Sequence, residues 1–504
     1  DLSARSCQPR GRDPAVVAGI TAPHHAGPHL WIQIGGEERA HGLGQQLLDA
    51  PDDHQGSCVA EGVRMVCERQ GSGHADSYRL ALVSTSHGGG VDAEVVIVGA
   101  GLAGCAAALE LAACGRDVIV LERGGRDRDK VCGEGLMPHG VETLRSLGLL
   151  PAVLATRPVP FRGIRYQVGT SVANGTFPSG HGLGVRRARI DRVVGDAAAS
   201  HPRIELRTGI RVRSVSGVAG RMEVRTDSGR LTARAVVGAD GLHSVVRRSL
   251  GLQVRAEGRR RYGARVHISH DGPDPARVGV YITPVGELYI TPTAPGEMNI
   301  AVLLEHAQAR TLAGGAEARI LAVAGTIPQL EPWLRHARTI SVAASCGPLR
   351  QRASAWACDG AVLVGDAAFF LDGITGEGMS LALSGGVLAA RTLDRAMVGG
   401  EASRERLAAY PRRFARDVRH KVRLTEVVLA GIRHRRLSGW AVRQLATRPA
   451  LFGALLDLNG GHGGLEGIAR AVLAPSAPPH RPTVQDRFGE DAGQPALQGV
   501  APWA

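Results

Sequence analysis

The sequence predicts a mixed α/β fold in which a parallel-sheet domain is interleaved with a β-sheet domain and followed by helices. Three observations support this prediction. A continuous apolar strand pattern after residue 92 runs into a glycine-rich turn and an alanine-rich helix, as in parallel α/β units. Short strand patterns separated by Gly and Pro occupy residues 254–345. Arginine-rich helical patterns follow at residues 401–474.

The composition is that of a globular protein, with 44% hydrophobic and 21% charged residues among 504. The formal charge of +13 is almost all arginine, because Lys130 and Lys421 are the only lysines. No nucleic-acid-binding motif accompanies the charge, so we expect no nucleic-acid partner. The cysteines lack metal-ligand spacing, which predicts no metal site. A reducing cytoplasm is the expected compartment.

The chain is expected to divide into segments of different composition. The N-terminal stretch is rich in His, Gly, Pro and Gln and lacks sustained periodicity, which predicts a disordered extension. The expected segments are this extension at 1–90, the dinucleotide-binding domain at 91–253 and 346–400 with part of the substrate sheet near 160–185, the β-rich substrate domain at 254–345, a helical region at 401–474 and a loose tail at 475–504.

The turn after the first predicted strand, residues 94–98, has the spacing Gly-x-Gly-x-x-Gly. Gly99 permits the tight turn, Gly101 lets the backbone approach a pyrophosphate, and Gly104 lets helix and strand pack closely. The helix predicted over residues 105–114 offers free N–H groups at its N-terminus. We therefore predict a loop that holds the diphosphate of a dinucleotide.

A second predicted strand, residues 117–121, ends at Glu122. This carboxylate lies 23 residues beyond Gly99, where it can accept hydrogen bonds from ribose hydroxyls. An acidic residue at this position favours an unphosphorylated ribose, as in FAD or NAD, over NADP. Arg123 follows directly and is expected to contact the same cofactor.

Two later strand patterns end in aspartate. Asp240 precedes Gly241, and Asp366 follows Gly365. An aspartate at the carboxyl end of a buried strand lies where ligands bind in open α/β sheets. Asp366 is therefore a candidate ligand for the ribityl hydroxyls of a flavin.

The fingerprint, the Asp-Gly motif and the Gly-Asp motif occur in this order within residues 92–397. This order resembles the FAD-dependent aromatic hydroxylase (p-hydroxybenzoate hydroxylase-like) superfamily, which shares its fold with geranylgeranyl reductases and flavin halogenases. The resemblance implies an FAD-binding Rossmann-like domain, FAD as cofactor and NADPH or NADH as electron donor. It implies that Asp366 contacts the ribityl chain, that Asp240 stands between FAD and the path of the nicotinamide donor, and that Arg187 contacts the FAD.

Two glycine-rich stretches, residues 131–138 and 373–379, are predicted to contact the flavin ring. In the second stretch Gly376, Gly378 and Met379 open a helix, whose N-terminus can hold the negative charge of a reduced ring.

Both stretches also carry candidate catalytic residues. Cys132 is a candidate redox or acid–base residue, and Glu377 is a candidate proton donor. The alternatives are a small packing residue at Cys132 and an N-terminal helix acid at Glu377.

The substrate sheet is expected over residues 262–345. Alternation at residues 287–291 predicts a half-buried strand with one face lining a pocket. Tyr281 and Tyr289 are candidates for contact with a substrate, with core packing as the alternative for both.

The leading functional prediction is an NAD(P)H-dependent monooxygenase that hydroxylates a small aromatic or polyketide-like molecule. The sequences Cys-Gly-Glu-Gly and Thr-Gly-Glu-Gly resemble the geranylgeranyl reductase branch more closely, which leaves saturation of an isoprenoid alkene as an alternative. A non-catalytic lipid carrier is the hypothesis from a different class.

An apolar stripe of Leu407, Tyr410, Phe414 and Val418 predicts an amphipathic helix in the C-terminal region. One interpretation is that the stripe docks onto the FAD domain. The other is attachment to an anionic membrane surface, which an isoprenoid substrate would favour. The sequence predicts no oligomeric state.

Overall fold

The structure is a computed structural model. It describes residues 90–474, except 126–128, 255–259, 371, 433, 461–462 and 464, and six strands before residue 90. The chain forms two compact units, Asp1–Gly90 and Val91–Ala504. The predicted loose tail at 475–504 lies outside the described residues.

The first unit contains two antiparallel sheets of three strands each, where the sequence predicts a disordered extension. The first sheet consists of Val16–Thr21, His29–Ile34 and Glu37–Glu38, and the second of Gln55–Ala60, Val63–Gln70 and Ser77–Ser84. The residues between these strands lie outside the described part of the chain, so for them disorder stays a prediction.

The second unit begins with a sheet whose parallel strands lead into the glycine-rich loop. Its strands are, in spatial order, Ile204–Thr208, Val118–Glu122, Ala93–Val98, Arg230–Gly238, Arg221–Thr226 and Val212–Val218, with Ala361–Leu363 and Ala357–Cys358 beside the end of Arg230–Gly238. Strand Ala93–Val98 is apolar because both of its faces are covered. Val95 and Ile97 pack in one core, and Val96 and Val98 pack in another.

Helices cover this sheet. They are Leu102–Ala113, Pro138–Ser146, Leu150–Ala155, Arg187–Ala199, Val245–Ser249 and Gly378–Val398, with 3-10 turns at Gly365–Ala367 and Gly373–Thr375. Helix Gly378–Val398 packs closely on Leu102–Ala113. A Cβ on Gly386 would lie 2.4 Å from the carbonyl oxygen of Ala103, so this approach requires glycine.

A second sheet, called the substrate sheet below, has eight strands. They are, in spatial order, Ser171–Thr176, Gly163–Val168, Val278–Thr283, Gly286–Ala294, Glu297–Glu305, Arg261–Ser269 and Arg338–Thr339, with Ala344–Cys346 also paired to Arg261–Ser269. Helices His306–Thr311, Ala316–Ala324 and Glu331–Leu334 and the 3-10 turn Pro328–Leu330 interrupt its strands in the chain.

The strand predicted at residues 287–291 is present and one of its faces lines a cavity, but the prediction that it is half-buried is wrong. Strand Gly286–Ala294 is buried up to its last residue. The face that carries Leu288 and Ile290 packs against Ile320 and Val323 of helix Ala316–Ala324. The opposite face lines the cavity described below. The alternating pattern therefore distinguishes two faces that are both buried. Polar residues on the cavity face contact neighbouring parts of the protein.

Short strands join the two sheets. Gly135–Leu136, Val159–Phe161 and Gly182–Gly184 form a three-stranded sheet, and Gln351–Arg352 pairs with Phe369–Phe370.

The chain continues into the helices Arg404–Leu407, Ala409–Ile432, Arg435–Thr447, Pro449–Gly460 and Leu465–Leu473. The stripe of Leu407, Tyr410, Phe414 and Val418 is buried in the core of the dinucleotide-binding domain. The Tyr410 hydroxyl donates a hydrogen bond of 2.7 Å to the Leu363 carbonyl. The docking interpretation of this stripe is confirmed.

Candidate active site

Backbone atoms pack tightly against the glycine-rich loop. Gly99 has φ +103°, and a Cβ there would lie 2.5 Å from the carbonyl oxygen of Ala239. A Cβ on Gly104 would lie 1.9 Å from the carbonyl oxygen of Gly99. At Gly101 an added Cβ would meet only Lys130 Nζ, at 3.1 Å, among the described atoms. Packing therefore requires two of these glycines, and Gly101 faces space that a pyrophosphate could enter.

No side chain caps the N-terminus of helix Leu102–Ala113. Its first N–H groups therefore remain available for an anion. Lys130, in the segment that follows strand Val118–Glu122, adds a positive charge beside Gly101. The prediction from sequence missed Lys130, although its being one of two lysines in an arginine-rich chain was a usable signal.

An outer cleft extends from this loop past the ends of the parallel strands. Buried Glu122 accepts hydrogen bonds from the N–H groups of Ala100 at 2.9 Å and Gly124 at 3.0 Å. These bonds fix its carboxylate in the wall of the cleft, where the sequence predicts a ribose. Arg123 is exposed and also lines this cleft.

Asp240 lines the outer cleft and holds the start of helix Val245–Ser249. Its Oδ2 accepts hydrogen bonds from the N–H groups of Val245 at 2.6 Å and Val246 at 3.2 Å. Its Oδ1 is buried without a hydrogen-bond partner in the described structure, which leaves one acceptor for a ligand. Gly241, with φ +78°, lines the neighbouring main cavity.

A second space, called the main cavity below, lies between the dinucleotide-binding domain and the substrate sheet. It brings together most of the predicted cofactor ligands, namely Gly101, Arg187, Gly241, Gly365, Asp366, Gly376, Gly378 and Met379, together with Cys132. Gly99, Glu122, Arg123 and Asp240 lie along the outer cleft, which shares Gly101 and Lys130 with this cavity. Gly104 lines neither space and serves packing inside the helix.

Asp366 and Arg187 both line the main cavity, and the charge of each affects the pKa of the other. Burial raises the pKa of the Asp366 carboxyl, and the positive charges of Lys130 and Arg187 oppose this rise. Arg187 Nε lies 3.0 Å from Asp191 Oδ1. Burial alone would lower the pKa of Arg187, but Asp191 outweighs it, so Arg187 is held in its charged form. A partly compensated carboxylate is suited to accept hydrogen bonds from hydroxyl groups.

Cys132 lines the main cavity, and its Sγ accepts a hydrogen bond of 3.3 Å from the Glu134 N–H. Burial raises the pKa of its thiol, and Arg187 opposes the shift only in part. The group is therefore a neutral thiol at neutral pH, which favours a packing role over a thiolate nucleophile. A direct redox role for Cys132 stays a prediction.

Glu377 lies outside the main cavity and lines a smaller neighbouring pocket. Its carboxylate accepts hydrogen bonds from Lys421 at 2.8 Å and Asn459 at 2.9 Å, and His139 lies 3.2 Å away. Burial raises the pKa of Glu377, and Lys421 opposes the rise. These contacts connect the C-terminal helices to the turn before helix Gly378–Val398. They favour a structural role for Glu377 over the role of proton donor that the sequence predicts.

The turn before helix Gly378–Val398 is open toward the main cavity. Gly376 has φ +68°, and neither Gly376 nor Gly378 has a described atom within 4 Å of an added Cβ. The helix has no acidic residue in its first turn. Its N–H groups can therefore meet a flat, electron-rich ring at close range.

Glu134 belongs to the predicted stretch 131–138 and lines the main cavity, with φ +61°, but the sequence predicts no role for its side chain. Its Oε1 accepts a hydrogen bond from the Arg187 N–H at 2.7 Å, and its Oε2 lies 2.7 Å from His267 Nε2. His267 Nδ1 in turn lies 2.8 Å from Ser341 Oγ. The left-handed backbone of a buried glutamate is held by contacts to two other parts of the protein.

The two candidate tyrosines lie on opposite faces of the substrate sheet. Tyr289 lines the main cavity, and its hydroxyl donates a 2.7 Å hydrogen bond to Glu287. Tyr281 packs in the core under helix Ala316–Ala324, so the alternative of core packing is confirmed for it. Burial raises the pKa of Tyr289, and its hydroxyl therefore stays protonated near neutral pH.

These features fit FAD lying along the cleft and the cavity. The space over Gly101 and the uncapped helix suit a diphosphate, Glu122 and Asp366 offer carboxylates for hydroxyl groups, and Gly376 leaves room for a ring. Within the described ranges, no three His, Cys, Asp or Glu side chains are grouped to hold a metal ion. Nor does any helix there have the length and hydropathy to cross a bilayer.

Comparison with known proteins agrees with this geometry. Residues 92–425 match the family described as FAD binding domain. The chain is 30% identical over 320 residues to menaquinone reductase of Mycobacterium tuberculosis, covering 60% of this chain and 76% of that protein. It is 28% identical over 327 residues to 3-hydroxybenzoate 6-hydroxylase of Klebsiella oxytoca, covering 61% of this chain and 81% of that protein.

A similar fold occurs in a crystal structure of a flavoprotein/dehydrogenase from Cytophaga hutchinsonii. The TM-score is 0.64 at 20% sequence identity, over 73% of this chain and 93% of the other. At this identity the similarity shows the fold alone.

Proposed function

Because this chain belongs to the FAD binding domain family and is an FAD-dependent oxidoreductase, we propose that it acts on a neutral, apolar organic molecule bound against the substrate sheet. The family membership confirms the resemblance that the ordered motifs indicate. The observation that carries the proposal about the substrate is the pairing of charges around the main cavity.

Apolar side chains form the substrate-sheet wall of the cavity. Val280, Tyr289 and Ala301 lie side by side on three neighbouring strands, and Leu303 and Phe161 lie near them. Asp372 is paired with Arg261 at 2.7 Å, and Tyr289 already donates its hydroxyl to a carboxylate. A wall of this kind binds hydrocarbon surface and offers few free polar groups.

The one arginine among the described residues that line this cavity is Arg187, and it is paired with Asp191. Lys130 lies beside the glycine-rich loop, where its charge acts on Asp366. A carboxylated aromatic substrate would bury its charge here without a free guanidinium to pair with, which is costly. This pairing favours an uncharged substrate, such as an isoprenoid or a neutral polyketide-like molecule.

The proposed reaction is monooxygenation driven by NADPH or NADH, and one relative of the chain is named as a hydroxylase. FAD held here would pass two electrons from the nicotinamide to dioxygen, so that one oxygen atom enters the substrate and the other leaves as water. The chain orients the ring with the N–H groups at the start of helix Gly378–Val398 and excludes water with the apolar wall.

A second candidate reaction is saturation of a carbon–carbon double bond. Both Gly-Glu-Gly stretches contribute residues to the main cavity, including Gly133 and Gly376. The menaquinone reductase relative covers a large share of this chain. In this reaction the substrate gains a hydride and a proton, and dioxygen is not consumed.

The test measures NADPH and NADH oxidation and dioxygen uptake with a neutral isoprenoid quinone, an isoprenoid alkene, a neutral phenol and a hydroxybenzoate. We expect the neutral compounds to stimulate turnover and the carboxylate to have little effect. Dioxygen uptake that the substrate stimulates supports monooxygenation. Anaerobic turnover to a product whose mass exceeds that of the substrate by two hydrogen atoms supports the reductase. Preferential turnover of hydroxybenzoate would overturn the substrate proposal, and a purified protein that takes up no FAD would favour the lipid carrier.

A pair of variants tests where the substrate binds. Ala301→Phe fills the cavity wall, and we expect kcat/KM to fall about tenfold or more while FAD content is retained. Ala199→Phe makes the same change at an exposed position at the end of helix Arg187–Ala199 and should leave kcat/KM unchanged. Equal kinetics in the two variants would place the substrate elsewhere.

A further inference from the structure

Helix Ala409–Ile432 has two faces of opposite chemistry. The inner face is buried and follows a spacing of three and four residues, through Tyr410, Phe414, Val418, Lys421 and Thr425. The outer face carries exposed arginines, namely Arg412, Arg413, Arg416, Arg419 and Arg423. Burial of one face fixes the helix on the protein, so the arginine row is held toward solvent.

Large apolar side chains are exposed beyond the end of this row. Val427 is 68% exposed, and on the next helix Leu437 is 54% and Trp440 is 56% exposed. Leu437 and Trp440 are three residues apart and therefore share one face of helix Arg435–Thr447. Arg436 and Arg443 on this helix are exposed as well. Exposed tryptophan and leucine beside arginine is the composition of an interfacial helix.

The same helices cover the substrate cavity from outside. Val442, on the inner side of helix Arg435–Thr447, shares a core with Phe452 and Leu456 and with Ile164 of the substrate sheet. Ile164 also lines the main cavity. The exposed residues therefore belong to helices that pack directly on the wall of the cavity.

We propose that this outer face is a docking surface for an anionic phospholipid bilayer, through which the enzyme reaches a membrane-dissolved substrate. Among the described side chains of helices Ala409–Ile432 and Arg435–Thr447, seven arginines are exposed, the five of the row with Arg436 and Arg443, against two exposed acids, Asp417 and Glu426. The net charge of this face is therefore complementary to acidic headgroups. Trp440 and Leu437 would enter the headgroup region while the arginines bind phosphates. Delivery of substrate rests on the proposed function, but docking itself does not.

Nucleic acid also attracts arginine rows. The exposed Leu437 and Val427 favour the bilayer, because aliphatic side chains gain from burial in lipid and contribute nothing to phosphate contacts. A bilayer is therefore the occupant that uses both halves of the surface.

The test is co-sedimentation of the full chain, with FAD, on vesicles of phosphatidylglycerol and phosphatidylcholine in equal parts, compared with phosphatidylcholine alone. We expect binding at least about tenfold tighter to the acidic vesicles, weakening as salt rises. Equal binding to both vesicles, or none to either, would overturn the proposal. Displacement by duplex DNA together with binding to DNA at the same affinity would point to nucleic acid instead.

Variants with matched charge locate the surface. The triple variant Arg416→Glu, Arg419→Glu and Arg423→Glu should lose vesicle binding about tenfold or more. The control changes Arg225, Arg230 and Arg335, exposed arginines elsewhere, to Glu and should bind like the unmodified chain. Equal loss in both variants would show that net charge alone acts, against a defined surface.

Trp440→Ala tests the apolar half of the surface. We expect it to weaken vesicle binding severalfold at high salt, where the charge contribution is screened. In both test variants, turnover of detergent-dissolved substrate should remain unchanged. A variant that keeps its turnover but loses vesicle binding supports the docking surface. A variant that loses both vesicle binding and bound FAD has a folding defect, and this outcome counts against the proposed surface.

Discussion

The carboxylate of Glu134 lies 2.7 Å from Nε2 of His267, and both side chains are fully buried. The second carboxylate oxygen accepts the N–H of Arg187 at the start of a helix. One side chain thus joins the loop beside the main cavity to the substrate sheet and to helix Arg187–Ala199 of the dinucleotide-binding domain. This glutamate therefore connects the two halves of the candidate site.

Glu134→Ala should destabilise the protein by about 1–3 kcal/mol, because it leaves the Arg187 N–H and His267 buried without their partner. Urea unfolding of the FAD-bound protein measures the change. Glu205→Ala, which breaks a surface pair with Arg207, should cost less than about 0.5 kcal/mol. Similar losses in the two variants would contradict the assigned role of the buried contact.

Gly101→Asp should abolish FAD binding while the protein stays folded. The new side chain has open space and Lys130 beside it, but its negative charge would occupy the place of the diphosphate. The flavin content of the purified protein and its circular dichroism measure the two effects. A folded variant with full flavin occupancy would contradict this assignment.

Gly104→Ala is the contrasting variant in the same loop. Its Cβ would clash with the Gly99 carbonyl, so we expect lower folded yield and stability along with any loss of FAD. If Gly104→Ala folded as well as Gly101→Asp, the packing role of Gly104 would be wrong.

The sequence predicts the parts of this site that depend on local geometry. The turn at Gly99, the strand end at Glu122 and the helix start at Gly378 each follow from spacing within one strand–helix unit. The period-two alternation of a strand also predicts that each of Tyr289 and Tyr281, on paired strands, points to one face of the sheet. It cannot tell which face holds the cavity when helix Ala316–Ala324 covers the other.

Contacts between distant residues could not be predicted in this way. Glu134 and His267 are 133 positions apart, and a glutamate in a glycine-rich stretch gives no sign of a histidine partner. Glu377 was predicted as a proton donor from the same kind of stretch, yet its carboxylate pairs with Lys421 on a later helix. Both outcomes depend on how the domains pack, which no single-sequence pattern records.

Lys421→Met should destabilise the protein by about 3–5 kcal/mol, because it leaves the buried Glu377 carboxylate without its cation. Burial already raises the pKa of Glu377 and Lys421 opposes the rise. Removing Lys421 therefore raises this pKa further, and the loss of stability should be smaller in acid, where Glu377 is protonated, than at alkaline pH. Urea unfolding at several pH values measures it.

The double variant Glu377→Gln, Lys421→Met is the matched control for this pair. Because it removes both charges, it should recover more than half of the stability lost in Lys421→Met. A double variant as unstable as the single one would show that Lys421 acts through packing and not through charge.

Asp366→Asn should make the flavin-free protein more stable at neutral pH while weakening FAD binding. Burial raises the pKa of Asp366 in the folded state. Between its ordinary pKa and this raised value the folded chain binds more protons than the unfolded chain, so stability falls as pH rises through that window. The amide carries no such charge. Its advantage in Tm should therefore be present above the window and disappear below it.

Thermal unfolding of the flavin-free proteins across pH tests this sign, with Asp227→Asn, at an exposed aspartate, as the control for general pH effects. FAD titration of Asp366→Asn should show affinity reduced about tenfold, the loss expected for one charge-assisted hydrogen bond to a hydroxyl. Lower stability of flavin-free Asp366→Asn at neutral pH would mean that Lys130 and Arg187 outweigh burial. Asp366 would then be a structural ion-pair partner, and its carboxylate would not be available to bind the cofactor.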